Sequence, residues 1–390
     1  MERLITKKLK EWYLNGDERI LWVSGAHGVG KTWTVRGFCR EYDREYIHLS
    51  MENSDGENIN KEISARATFI ILDDINSEDA YIRARRIILK MRSDEALSDY
   101  KIIMVGAMAI GAIDAEATKS YEYICNVQMF PLSFYEFYQL IEEKWKRTNR
   151  FNLSILDVFK IYLIVGGMPE CVALFMQEES FTSVRHKQRE IVRKVCARQS
   201  SGDSIMFAKE IEVVESISVQ GKDNRSGFSL RQARTTARWR EYGKAIDKML
   251  SCGFIYRISR YDVHKRAKNY CLCIMDVGLA GAMADIDERL ILNKDKIIKE
   301  HNGLLLKGFI IQEYYARGFY KEWMLNYWHK QRAKARLPIL FVHQVKNHII
   351  AVDIEKMWHR SMDSFLNQYN NVCEKTMSID DVTSEALSII

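Results

Sequence analysis

Apolar positions along this chain follow two rhythms. Short continuous runs, Ile20-Leu21-Trp22-Val23-Ser24, Tyr46-Ile47-His48-Leu49-Ser50, Thr68-Phe69-Ile70-Ile71-Leu72 and Lys101-Ile102-Ile103-Met104-Val105-Gly106, have the length and β-branched content of buried strands. Between them, Leu4 to Leu14, Trp33 to Tyr42 and Ser77 to Ser98 space their apolar residues as helices do, the first closing near Asn15-Gly16. Strands alternating with helices predict βαβ units and a parallel sheet. The polar segment Ser54 to Glu62 is expected to loop out.

Further on the rhythm changes. Asn152 to Phe175 is helical, broken at Gly166-Gly167, and Phe181 to Gln199 is a long helix, basic on one side. Ser200 to Gly227 is polar, with candidate loops at Ser201-Gly202-Asp203 and Lys222-Asp223-Asn224-Arg225. Ser229 to Ser251 reads as two helices, and Gly253 to Ile258 with Tyr270 to Ile274 as a hairpin. Helix, helix, hairpin is a winged-helix order. Its Arg231, Arg234, Arg238 and Arg240, with Trp239 among them, are candidates for DNA phosphate contact; the alternative is a module that packs two domains together. Leu304 to Phe319 predicts a helix containing Glu313, followed by strands at Met324–Trp328, Ile339–Val342 and Ile349–Lys356. The tail from Met377 to Ile390 is mixed in composition and expected to fray.

Chemistry concentrates at Gly25-Ala26-His27-Gly28-Val29-Gly30-Lys31-Thr32, which fits G-x-x-x-x-G-K-[ST] at every fixed position. A strand precedes it and a helix opening on Trp33 follows, so the glycines turn the backbone while the helix N-terminus favours phosphate. Lys31 is expected on the β- and γ-phosphates of ATP, and Thr32 on Mg²⁺. The third apolar run ends in Asp73-Asp74. Asp73 is the second expected magnesium residue, held through water, and Asp74 stands where a carboxylate polarises the attacking water. An Asp there is shorter than a Glu, and slow hydrolysis is expected. Arg83, Arg85 and Arg86 read as a solvated face.

Composition changes this picture little. The 390 residues suffice for two or three domains, and 47% hydrophobic, 28% charged and 3 prolines are ordinary for a folded, helix-rich chain. A net charge of +6 does not by itself call for nucleic acid. The 8 cysteines are scattered without zinc-ligand spacing; only Cys271 and Cys273 lie close, alternating as on a strand, so reduced thiols in a cytoplasmic protein are expected. No apolar run approaches the ~20 residues of a membrane span, and the N-terminus lacks a signal-peptide core.

Three further elements carry a family resemblance. Pro131-Leu132-Ser133-Phe134-Tyr135-Glu136-Phe137, Tyr162-Leu163-Ile164-Val165-Gly166-Gly167-Met168-Pro169-Glu170 and Asp276-Val277-Gly278-Leu279 occur in this order. With the phosphate loop, they resemble a family of prokaryotic AAA-type P-loop ATPases with a C-terminal domain of unknown function. The resemblance implies an ATPase domain at 1–150, a helical and winged-helix-like domain at 151–290, and a restriction-endonuclease-like domain at 291–390.

Departures from the family pattern matter. The family's loop Arg is His27 here, its Gly-Arg pair before the P-L-S element is missing near Glu122-Tyr123-Ile124, and the fourth strand ends Gly106-Ala107-Met108 without a polar sensor. Where the family has E-I-D-F and E-V-K, this chain has Arg336-Leu337-Pro338-Ile339 and Asp353-Ile354-Glu355. The expectation is therefore an ATP-binding switch with weak hydrolysis and an inactive nuclease fold, its output DNA, a partner protein or a second copy. The rivals are an ATP-licensed nuclease using Glu313, Asp353 and Glu355 for metal, and a scaffold with a vestigial nucleotide site. The basic run His329 to Arg336 is a candidate for an acidic partner.

Overall fold

A computed structural model describes residues 3–17, 19–42, 45–52, 67–93, 100–107, 124–148, 153–200, 202–222, 228–230, 238–262, 270–293, 304–318, 324–328, 340–345, 348–354, 359–367, 369 and 372–387. The chain divides into two compact units, 2–130 with 251–253, and 131–250 with 254–390.

The first unit contains α1 (Leu4–Leu14), β1 (Ile20–Ser24), α2 (Lys31–Tyr42), β2 (Tyr46–Ser50), β3 (Phe69–Ile75), α3 (Glu78–Arg92), β4 (Lys101–Gly106) and β5 (Ile124–Gln128). The strands form one parallel sheet in the order β2-β3-β4-β1-β5. Every residue of β1 is buried, as helices on both faces require. Trp22, Leu72 and Met104 pack in one cluster with Tyr81, Ala84 and Ile88 of α3. Ser77 caps α3 by accepting from the Ala80 amide, with Glu78 and Asp79 in the first turn and Lys90 and Arg92 in the last, a charge order that complements the helix dipole. Of the basic residues expected to be solvated, Arg85 and Arg86 are exposed, whereas Arg83 donates to the Met51 carbonyl. The expected loop at 54–62 lies outside the described residues.

The second unit runs through α4 (Phe134–Thr148), α5 (Ile155–Val165), α6 (Pro169–Glu178), α7 (Phe181–Ser200), α8 (Ser204–Lys222), α9 (Trp239–Ser251), β6 (Ile255–Arg260), β7 (Tyr270–Ile274), α10 (Val277–Met283), α11 (Glu288–Asn293), α12 (Leu304–Ala316), β8 (Met324–Trp328), β9 (Leu340–Val345), β10 (His348–Ile354), α13 (His359–Leu366), β11 (Val372–Met377) and α14 (Ile379–Leu387). Its strands form a mixed sheet ordered β11-β10-β9-β8-β6-β7. The hairpin expected as a wing, β6–β7, is the edge of this sheet, joined to β8 in parallel through Ser259–Asn326 and Arg260–Tyr327. The segments expected as separate domains at 151–290 and 291–390 thus share one sheet, and α4 groups with them rather than with the phosphate-loop sheet.

Within the polar stretch after Gln199, Gly202 and Asp203 connect α7 to α8 as the first candidate loop predicts, Lys222 ends α8, and 223–225 of the second candidate lie outside the described residues; between the two runs the 19-residue helix α8, whose Val213, Val214 and Ile217 are buried. Of the tail expected to fray, 379–387 are instead the helix α14, opened by a reciprocal cap: Ser378 N–H donates to Asp381, and the Asp381 amide donates back to Ser378 Oγ at 3.0 Å.

The three family elements meet inside the second unit. In the first, Ser133 and Glu136 form a capping box: Ser133 N–H donates to Glu136 Oε2 at 2.8 Å, and Glu136 N–H to Ser133 Oγ. In the second, Gly167 N–H donates to Asp276 Oδ2 at 2.6 Å, and the Gly167 carbonyl accepts from Leu132 N–H. A Cβ on Gly167 would lie 2.1 Å from the Leu132 oxygen, so only glycine fits. In the third, Asp276 accepts from Leu279 N–H while Val277 N–H donates to Gln312. Gln312 closes the network on the Tyr162 hydroxyl at 2.8 Å. Glu313, beside it, accepts from Phe134 N–H at 2.7 Å and so satisfies an orphan amide at the start of α4. Among the described residues no single helix is long and apolar enough to cross a membrane.

Candidate functional site

β1 ends at Ser24, and the chain turns over Gly25 to Gly30 before α2 begins at Lys31. The tightness of that turn has a steric cause. A Cβ on Gly25 would fall 2.2 Å from the Met129 carbonyl oxygen, at the end of the neighbouring β5. Gly28 and Gly30 have φ of 81° and 94°, in the region open to glycine. Ala26, His27 and Val29 are buried between them. Lys31 folds back over the loop, its ammonium donating to the Gly25 and Ala26 carbonyls at 2.8 Å each. Trp33, in the first turn of α2, is 70% exposed, so its indole is free to meet a ligand or solvent.

The acidic pair ends β3, at the same carboxyl edge of the parallel sheet, where ligands of such sheets bind. Asp73 is 4% exposed. Burial pushes its carboxyl up, but hydrogen bonds from His48, from the Thr32 hydroxyl and from the Asp74 amide outweigh this and hold it below its ordinary value. Contact between the Thr32 hydroxyl and the Asp73 carboxylate brings together the two residues expected at magnesium, a hard-oxygen pair suited to that ion.

Asp74 is in an unusual conformation. Pairing of β3 with β4 is regular to Leu72–Met104 and resumes at Ile75–Gly106, so two residues on β3 face one on β4. Asp74, in this bulge, has φ 60°. Its carboxylate is turned to β2, where the Ser50 hydroxyl donates to Oδ2 at 2.7 Å. Beside it, Asn76 accepts from the Ala107 amide at 3.1 Å and donates to Glu52. A polar side chain therefore does stand at the end of β4, supplied by the adjoining strand.

Sequence reasoning missed His48, Ser50 and Asn76. The alternation of β2 places His48 and Ser50 on one face. Only the register, with Ser50 opposite Asp73, brings that face to the acidic pair.

The remaining candidates separate from this site. Arg238 and Arg240 are exposed at the start of α9 beside Trp239, while Arg231 and Arg234 lie outside the described residues. Of the nuclease carboxylates, Glu313 is engaged in capping α4, Asp353 is buried on β10, and Glu355, like Pro338 and the basic run 329–336, lies outside the described residues. Among the described residues no three His, Cys, Asp or Glu side chains gather as metal ligands.

Residues 17–138 match the family model described as an AAA domain. With the parallel sheet and the glycine loop, this makes the first unit an AAA-type P-loop domain, a nucleotide-binding class. No curated protein matches the chain. Among solved structures, it is similar to AMPPCP-bound DnaA from Aquifex aeolicus, at 16% identity over 63% of this chain and 83% of that one, with a TM-score of 0.36. It is also similar to the RuvB Holliday junction branch migration motor of Thermotoga maritima, at 12% identity over 66% and 92%, with a TM-score of 0.38.

Proposed function

We propose that this chain is an ATP-dependent switch that hydrolyses its nucleotide slowly. The observation that carries the reading is a glycine loop on which Lys31 is already folded, its ammonium on the Gly25 and Ala26 carbonyls, with Asp73 at the same carboxyl edge of the parallel sheet. Lys31 would exchange its two carbonyl partners for phosphate oxygens, a charge-assisted interaction stronger than the ones it leaves. Backbone amides of Gly28 to Thr32 would hold the β-phosphate. Thr32 and Asp73 would hold Mg²⁺, which when bound supplies charge neutralisation between the β- and γ-phosphates. Slow turnover is supported by Asp74, whose carboxylate is held by Ser50 in the bulge rather than free to orient water.

The readout of the switch is proposed to be a nucleic acid or a protein partner. Exposed Arg238 and Arg240 flanking Trp239, itself 48% exposed, favour a phosphate-bearing partner.

The test is equilibrium binding of a fluorescent ATP analogue with Mg²⁺ to the full chain. Wild type is expected to bind, and Lys31→Ala to bind at least about 100-fold more weakly, as loss of a charge-assisted contact near 3 kcal/mol predicts. Equal affinity in the two proteins would overturn the reading.

A further inference from the structure

Arg3 lies just before α1, outside every motif, yet it is 6% exposed. Its guanidinium reaches two carbonyls far away in sequence. One nitrogen donates to Val29 O at 3.0 Å, inside the phosphate loop, and the other to Phe130 O at 2.7 Å, just past β5. All three residues belong to the first compact unit.

Val29 is followed by Gly30, whose φ of 94° marks a peptide that glycine leaves free to rotate. No cis peptide occurs among the described residues, so the Val29 carbonyl and the Gly30 amide are the two ends of one planar trans unit and point in opposite directions. Fixing the oxygen on Arg3 therefore fixes the direction of the Gly30 N–H. A cation on the oxygen also polarises the peptide and increases the positive charge on that N–H. The same brace holds the far wall: Met129 N–H donates to Ser24 O at 2.7 Å, and the Met129 carbonyl packs against Gly25. One end of the loop is thus fixed by Met129 at Gly25, and the other by Arg3, which ties Val29 to Phe130.

We propose that Arg3 is a positioning residue for nucleotide phosphate: a guanidinium that presets the Val29–Gly30 peptide so that its amide faces the loop interior before nucleotide arrives. This rests on the ATP reading above. A loop whose peptide is preset loses less conformational freedom on binding, so removing Arg3 raises the dissociation constant rather than merely loosening the fold. A lysine keeps the charge but lacks the planar two-nitrogen fork that spans both carbonyls, so it restores little.

The experiment compares Arg3→Ala, Arg3→Lys and Leu9→Ala with wild type in the full chain. Leu9 is fully buried in α1, away from the loop in sequence, and serves to match the loss of stability. ADP and ATP affinities are measured by fluorescence titration, together with the melting temperature of the nucleotide-free protein. Arg3→Ala is expected to bind both nucleotides about tenfold more weakly, as loss of hydrogen bonds from a charged donor predicts. Arg3→Lys is expected to stay within threefold of Arg3→Ala, and Leu9→Ala to melt lower but bind within twofold of wild type. Wild-type affinity in Arg3→Ala, or a loss no larger than that of Leu9→Ala, overturns the proposal while leaving the ATP reading intact. Failure of wild type itself to bind nucleotide overturns both.

Discussion

The Asp73 carboxylate lies 2.9 Å from His48 Nε2, a side chain 25 residues earlier on the neighbouring strand. The imidazole occupies one carboxylate oxygen, and the Asp74 amide holds the other at 2.7 Å. Both oxygens are therefore oriented before any ligand arrives, and orientation of a metal-holding carboxylate is a large part of its affinity.

His48→Ala is expected to leave the fold intact, since the ring is partly exposed, and to raise the Mg²⁺ concentration needed for half-maximal ATP binding by about tenfold. A magnesium titration at fixed nucleotide checks this. An unchanged midpoint would show that His48 plays no part in holding Asp73 for the ion.

Ser50 and Asp74 give a prediction of the opposite sign. The Ser50 hydroxyl draws the carboxylate toward β2. Ser50→Ala is expected to release it and raise kcat for ATP hydrolysis about tenfold with little change in KM, since a hydrogen bond to a charged group is worth roughly 1.5 kcal/mol. Asp74→Asn in the same background should abolish the gain. A fall in kcat for Ser50→Ala would mean that the hydroxyl supports the carboxylate in its catalytic position.

Stability should depend on pH through the second unit. Burial pushes the Glu313 carboxyl up to about 8, against the opposing hydrogen bond from the Phe134 amide and the charge of Arg317. Asp276 is pushed up to about 6, again mainly by burial. A carboxyl whose folded value is raised binds its proton more tightly when folded, so it stabilises at low pH and loses that contribution as pH rises through the folded value, about 1.4 kcal/mol for each unit of difference. Wild type is therefore expected to melt lower at pH 9 than at pH 6. Glu313→Gln, which keeps an oxygen for the Phe134 amide and cannot ionise, should flatten that slope. Melting curves at both values check it; an equal slope in the two proteins would remove Glu313 as its source.

Much of the first unit is legible in one dimension because its signals are local. Leu4–Leu14, Tyr46–Ser50 and Lys101–Gly106 form the helix and strands their patterns predict. Glycine at positions 25, 28 and 30 announces a turn that other residues resist. The second unit is less legible. The stretch that forms helix α8 reads only as polar between two candidate loops, and its apolar positions acquire meaning only against α7 and β7. The hairpin β6–β7 is local and was foreseeable, whereas its pairing to β8 is a contact across some 65 residues that nothing in either segment specifies.

What the sequence alone determined is a glycine loop after a strand, a lysine and a threonine opening the next helix, and two carboxylates ending another strand, because each depends on neighbours only a few residues away. Which groups touch them depends on how the chain folds in space. Strand register set His48 on Asp73 and Ser50 on Asp74, a one-residue bulge turned Asp74 aside, and the path of the chain brought Arg3 to the Val29 carbonyl. Glu313 became a helix cap for Phe134 because burial left that amide no water to bond. Such partners are chosen by distance in space and by desolvation, and neither is written in the spacing of residues along a chain.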